Sequence, residues 1–90
     1  MNSKRNSPAH AIMLKLIKDI RLERGLRQQE LAERLNVPQS FVSKYESGER
    51  RLDLLELKAI CLSLGLTLAE FVRRLEEQLE HITLGENNET

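Results

Sequence analysis

Apolar residues recur at helical spacing from the start of the chain. Met13, Leu16, Ile17 and Ile20 share one face, with charged residues between them. Ser7 followed by Pro8 predicts where that first helix starts, with Ser as N-cap and Pro in the first turn. Gly25 predicts where it ends. A second helix is predicted from Gln28 to Leu35, with Leu31, Ala32 and Leu35 inward. Asn36 follows at a sharp turn, where a left-handed backbone suits Asn better than most residues. Val37 and Pro38 lead into a third helix that ends at Ser47 and is stopped by Gly48. Asp53 with Glu56 reads as a capping box for a fourth helix, whose inner side is Leu57, Ile60, Cys61 and Leu64, with Gly65 closing it. Thr67 with Glu70 is a second capping box, with Leu66 and Phe71 as a hydrophobic staple. The fifth helix carries Leu68, Phe71, Val72, Leu75 and Leu79. The pattern predicts an all-α fold of five helices, with a flexible arm over 1–7, a domain over 8–83 and a polar, disordered tail over 84–90. No internal repeat or low-complexity segment interrupts it.

Composition narrows the function. Ninety residues make one small domain, too small for a helical core and a deep catalytic cleft together. Cys61 is the only cysteine, so there is no disulfide framework, and a reducing, cytoplasmic setting is expected. No apolar run has the length of a signal peptide or a membrane span, so no membrane partner is expected. His10 and His81 lack metal-ligand spacing with Cys61, and no nucleophile–base arrangement is present. Metal, cofactor and enzymatic activity are therefore not expected.

The net charge of zero conceals an asymmetry. Residues 1–51 hold 11 Lys/Arg and 6 Asp/Glu, giving +5, while residues 52–90 hold 3 and 8, giving −5. Such a split suits a basic working face with an acidic back.

Residues 37–51, VPQSFVSKYESGERR, supply the candidate chemistry. Val42 and Tyr45 anchor the third helix to the core, which leaves Gln39, Ser40, Ser43 and Lys44 facing outward. Ala32 is small enough for two helix backbones to approach, and Asn36 reverses the chain between them. Two short helices crossing steeply about a tight turn are the layout of a helix-turn-helix.

At this point the sequence resembles the phage-repressor family of DNA-binding domains, the XRE-type group of Cro and lambda repressor. The resemblance rests on RLERGLRQQELAERLNVPQSFVSKYESGERR and the two capped helices after it, and covers about residues 12–75. It implies a lambda-repressor-like DNA-binding domain with helices two and three as the reading unit. Gln28 matches a glutamine that contacts a DNA phosphate and can brace the recognition helix. Gln39, Ser40 and Lys44 match base-reading positions, with Ser43 near them. Arg21 and Glu46 match a partly buried ion pair joining the first helix to the third. The loop over 48–51 matches a backbone-clamping segment. The chain departs from the pattern at Arg27 and Pro38, where a capping Ser or Thr is usual, and at Asn36, where Gly is commoner.

Elementary chemistry supports these roles. The major groove admits one helix, Gln pairs bidentately with adenine, and Lys reaches guanine. Arg27, Arg50 and Arg51 suit phosphates, which position a protein without reading sequence. Phe41 is open between packing on the second helix and touching a thymine methyl, and large apolar groups favour burial. The expected function is sequence-specific binding of double-stranded DNA by a small transcriptional regulator, as a repressor. One helix reads few base pairs, so a homodimer on a palindromic operator is expected, through the fifth helix at Leu75, Leu79 and Ile82. Two alternatives stand beside it. An antitoxin would bind both its operator and a toxin protein, and an interaction module on this scaffold would bind protein alone.

Overall fold

The computed structural model describes the backbone of residues 7–89 and the side chains of residues 7–81. Five helices follow one another: α1 Pro8–Glu23, α2 Gln28–Leu35, α3 Gln39–Ser47, α4 Leu54–Ser63 and α5 Leu68–Glu89. The expected arm over 1–7 lies outside the described residues except for Ser7, whose hydroxyl accepts from the His10 N–H at 3.2 Å and caps α1.

Local chemistry fixes most helix ends. The Glu56 N–H donates to Asp53 Oδ1 at 2.7 Å while the Asp53 N–H donates to Glu56 Oε1 at 3.0 Å. Thr67 and Glu70 repeat the reciprocal pair at 3.0 and 2.7 Å. Each box satisfies two backbone donors that helix geometry leaves open. Asn36 ends α2 in the left-handed region at φ 59°, and Gly48 ends α3 at φ 90°. Behind Gly48, the N–H groups of Glu49 and Arg50 both donate to the Lys44 carbonyl, at 2.9 and 3.1 Å. The chain thereby leaves α3 abruptly, with the basic loop beside the helix that precedes it.

The core gathers Leu14, Leu16, Ile17 and Ile20 of α1, Leu31 and Ala32 of α2, Val42 and Tyr45 of α3, and Phe71 of α5. Leu57, Ile60 and Cys61 of α4 join them, with Leu64 and Leu66 from the α4–α5 turn. Helix α2 packs against α3 and α4, and α1 packs against α3 and α5. Ala32, 2 % exposed, lets α2 and α3 cross closely. Val72, one of the apolar positions of the fifth helix, stands 37 % exposed. Phe71 takes the inward position, and the next residue is turned away by about 100° on a 3.6-residue helix. Leu68 and Leu75 complete the inward stripe as partly buried neighbours of the core.

The backbone of α5 continues to Glu89, into the stretch read as a tail, and no proline interrupts it.

Candidate nucleic-acid interface

Nine residues of α3 present two unlike faces. Val42 and Tyr45 are fully buried, which turns Gln39, Ser40 and Lys44 to solvent and leaves Ser43 half-buried at the margin. Positions 39, 40, 43 and 44 are neighbours on one side of a 3.6-residue helix. The structure therefore brings the four candidate base-reading side chains onto one face.

Behind that face lies a relay of hydrogen bonds. Arg21 donates to both carboxylate oxygens of Glu46, Nε to Oε2 at 2.7 Å and Nη2 to Oε1 at 3.0 Å. Its Nη1 donates to the Leu26 carbonyl at 2.7 Å, tying in the α1–α2 turn. The two side chains are only 6 % and 5 % exposed, so this ion pair is buried. Gln28 Nε2 donates to Glu46 Oε1 at 2.9 Å, and Gln39 Nε2 donates to Gln28 Oε1 at 3.3 Å. A charge pair that joins α1 to α3 thus reaches Gln39, the first residue of α3, through Gln28, the first residue of α2.

Four cationic or polar positions flank the face, and the structure treats them differently. Gln28 is half-buried within the relay. Arg27 is exposed; its backbone N–H donates to Glu30 Oε1 at 2.8 Å, and its guanidinium lies 3.6 Å from the same oxygen. Glu30 thus supplies its own half of a capping box, while Arg27 has no side-chain acceptor to supply the other. Arg51 is exposed, with no ion pair among the described residues, and its charge reaches His10. Burial, with Arg51 second, holds the His10 imidazole below its ordinary pKa.

Arg50 is held rather than free. It forms a two-pronged ion pair with Glu56, Nη1 to Oε1 at 3.0 Å and Nη2 to Oε2 at 2.8 Å. Nη1 also donates to the Arg51 carbonyl at 2.8 Å. The guanidinium carbon sits 4.5 Å from the centre of the Phe41 ring, a cation–π contact. Phe41 in turn meets Tyr45 edge-on, with centroids 5.7 Å apart. The Arg50 hydrogen bonds, and then the Asp53 N–H, bring the Glu56 carboxyl down to a pKa of about 2. Phe41 is therefore a packed residue under a cation. Three Arg50 hydrogen bonds end on Glu56 and the Arg51 carbonyl, whereas Arg51 has no ion pair among the described residues. Nothing in the sequence separates the two arginines, because Glu56 also reads as a complete capping residue on its own.

On α5, Leu75 packs against the core and Leu79 is half-buried. The side chain of Ile82 lies outside the described residues. Among the described residues, no group of three or more His, Cys, Asp or Glu is placed to hold a metal ion. None of their helices is long and apolar enough to cross a membrane.

Comparison with known proteins agrees with this geometry. Residues 17–71 match the family described as Helix-turn-helix. The chain is 30% identical over 63 residues to the control protein C.MunI of Mycoplasma sp, covering 69% of this chain and 85% of that one. Among solved structures, an XRE-family like protein from Pseudomonas syringae pv. tomato is 36% identical with a TM-score of 0.77, covering 87% of this chain and 98% of the other. The restriction-modification controller protein C.Esp1396I, solved as a tetramer in complex with its natural 35-base-pair operator, is 30% identical with a TM-score of 0.72. That match covers 79% of this chain and 93% of the controller.

Proposed function

Because the chain belongs to the XRE-type helix-turn-helix family of DNA-binding transcription regulators, we propose that it reads a specific operator as a homodimer and represses by occupying it. One observation carries the reading. The exposed polar face of α3 is braced from behind by a buried ion pair, through Gln28, at the residue best suited to pair with adenine. A surface helix with no task has no use for such bracing. Gln39, Ser40, Ser43 and Lys44 contact base edges. Arg27, Gln28 and Arg51 contact phosphates on either side, and Arg50 holds the loop that presents Arg51. The structural relative bound to a 35-base-pair operator as a tetramer supports a multi-copy assembly. Two recognition helices, about one helical turn apart, read what one helix cannot.

Selection from a random duplex pool tests this reading. It should enrich a motif with two-fold symmetry, bound in proportion to the square of protein concentration below the dimer dissociation constant. Enrichment of no motif, at low as well as moderate salt, would overturn it.

A further inference from the structure

A groove of about 320 Å³ lies between α1 and the C-terminal end of α3. Leu14, Lys15 and Lys18 line it from α1, and Glu46, Ser47 and Gly48 line it from α3. Positions 15 and 18 are neighbours on the surface of α1, about 4.5 Å apart along its axis. Lys18 is exposed and has no ion pair among the described residues. Lys15 meets Asp19 at 2.8 Å, but the two side chains are 76% and 43% exposed, so water and salt screen the pair. The α3 side has its donors committed. The Ser47 hydroxyl donates to the Lys44 carbonyl at 3.0 Å, and the Gly48 N–H donates to the Tyr45 carbonyl at 3.2 Å. Glu46 brings no free charge, because Arg21 donates to both of its carboxylate oxygens. The groove therefore offers a ligand two ammonium groups beside a neutralised wall.

We propose that this groove seats the phosphate backbone of one operator strand, with Lys15 and Lys18 as its cations. The proposal rests on the operator reading above and adds α1 to the elements that hold DNA. Position in the fold is the first reason for this occupant. Ser40, Lys44 and Ser47 are all exposed and follow one another at steps of four and three, so one stripe of α3 leads from the base-reading positions into the groove. Glu46 ties the groove to the start of α2 as well, because it accepts from Gln28, itself a phosphate candidate. Charge is the second reason. An ammonium group is a compact point charge that binds phosphate without demanding a fixed angle. Repetition is the third. One strand presents a phosphate every 3.4 Å along the duplex axis, close to the spacing of about 4.5 Å between the two lysines, so a polyanion engages both. A free small anion finds neither an open backbone donor nor a buried cation here.

Salt titration of duplex binding by the full chain tests the groove, with Lys15→Gln and Lys18→Gln beside wild type. Lys58→Gln, at an exposed lysine of α4, is the control. Each groove variant should lower the salt slope by about 0.9, so that wild type loses about 3.5-fold more affinity than the variant between about 50 and 200 mM salt. The thermal melts should not move, and Lys58→Gln should keep the wild-type slope. On the selected duplex, phosphates replaced one at a time by neutral methylphosphonates should locate a linkage whose replacement weakens wild type and leaves Lys18→Gln unaffected. Wild-type slopes in both groove variants, an equal loss of slope in Lys58→Gln, or a selected duplex with no such linkage would each overturn the groove. A motif that is still selected in any of those cases leaves the operator reading intact. Slopes lowered by the groove variants alone on random duplexes, with no motif enriched, would sink the operator reading and leave the groove standing as a backbone site.

Discussion

Replacing Glu46 with Ala should be among the most damaging single changes in this domain. The Arg21 side chain is 6% exposed, and two of its three charged-group hydrogen bonds end on Glu46. Without the carboxylate, a guanidinium stays buried against the Leu26 carbonyl alone. Breaking a buried pair by removing one partner costs about 3–5 kcal/mol. At about 0.05–0.15 kcal/mol per residue, a ninety-residue chain has roughly 5–13 kcal/mol of stability in total. The loss is therefore a large fraction of what the fold has. At about 4–8 °C per kcal/mol for a domain of this size, even the lower figure lowers Tm by roughly 12–24 °C. Removing both charges, as Arg21→Met with Glu46→Leu, leaves no orphaned ion and should recover at least about half of the loss. Thermal and urea melts of the two single variants and the double variant make the measurement. If Glu46→Ala melts within 1 kcal/mol of wild type, or the double variant is as unstable as the sum of the singles, the pair is not the buried, coupled unit described above.

Gln39→Ala and Lys44→Ala should fold normally, lose about 1–3 kcal/mol against the selected site, and each relax preference at one base pair; unchanged preference in both sinks the base-reading assignment. Arg51→Ala should weaken binding to all duplexes alike and reduce the salt slope by about one. Arg50→Ala should lower the melting temperature instead, because it strips the charge from Phe41 and the partner from Glu56, and a salt-slope change with an unaltered melt would reverse the two roles. Glu56 has a folded-state pKa of about 2 against an ordinary 4.5, so its contribution to stability is complete above about pH 4.5 and is lost as pH falls towards 2; Glu56→Gln should flatten acid unfolding in that window, and an acid limb identical to wild type counts against it. The Tyr45 hydroxyl is buried with no hydrogen-bond partner among the described residues, so Tyr45→Phe should leave stability unchanged or raise it by up to about 1 kcal/mol. A loss of more than 1 kcal/mol would show that the hydroxyl is satisfied.

Helix ends were legible in the sequence because capping is a three-residue event. Ser7, Asp53 with Glu56, and Thr67 with Glu70 each place donor and acceptor within one turn. The left-handed turn at Asn36 and the stop at Gly48 were legible for the same local reason. Arg21 and Glu46 are twenty-five positions apart, and only resemblance to a family pairs them. Contacts between elements stayed hidden. Arg50 and Arg51 are the same residue type in the same loop, and their different fates depend on where α4 places Glu56. Helix α4 hid its outer face for a different reason. Periodicity found its inner side, Leu57, Ile60, Cys61 and Leu64, but did not show that Leu54, Leu55 and Leu62 stay exposed. Val72 shares helical spacing with Leu68, Leu75 and Leu79, so periodicity alone counts it with their stripe although it is exposed.

The relay behind α3 also sets the chemical polarity of the face proposed to read DNA. A carboxylate only accepts hydrogen bonds, so Glu46 draws the amide nitrogen of Gln28 toward itself. That leaves Gln28 Oε1 directed at α3, where it accepts from Gln39 Nε2. Gln39 must then hold its nitrogen inward and its oxygen outward. One amide N–H is committed at 3.3 Å, while the second N–H and the oxygen remain. Those are the donor and the acceptor that match adenine N7 and the adenine amino group. On the proposed reading, adenine is the base that this arrangement suits, and Arg21 supports it from the far end through its two hydrogen bonds to Glu46. A fixed amide loses less rotamer freedom on binding than a free one, by up to about 1 kcal/mol for so long a side chain. The buried charge pair joins α1 to α3 and, through Gln28, orients the amide of the first residue of α3; in the proposed function it would thereby serve stability and recognition at once.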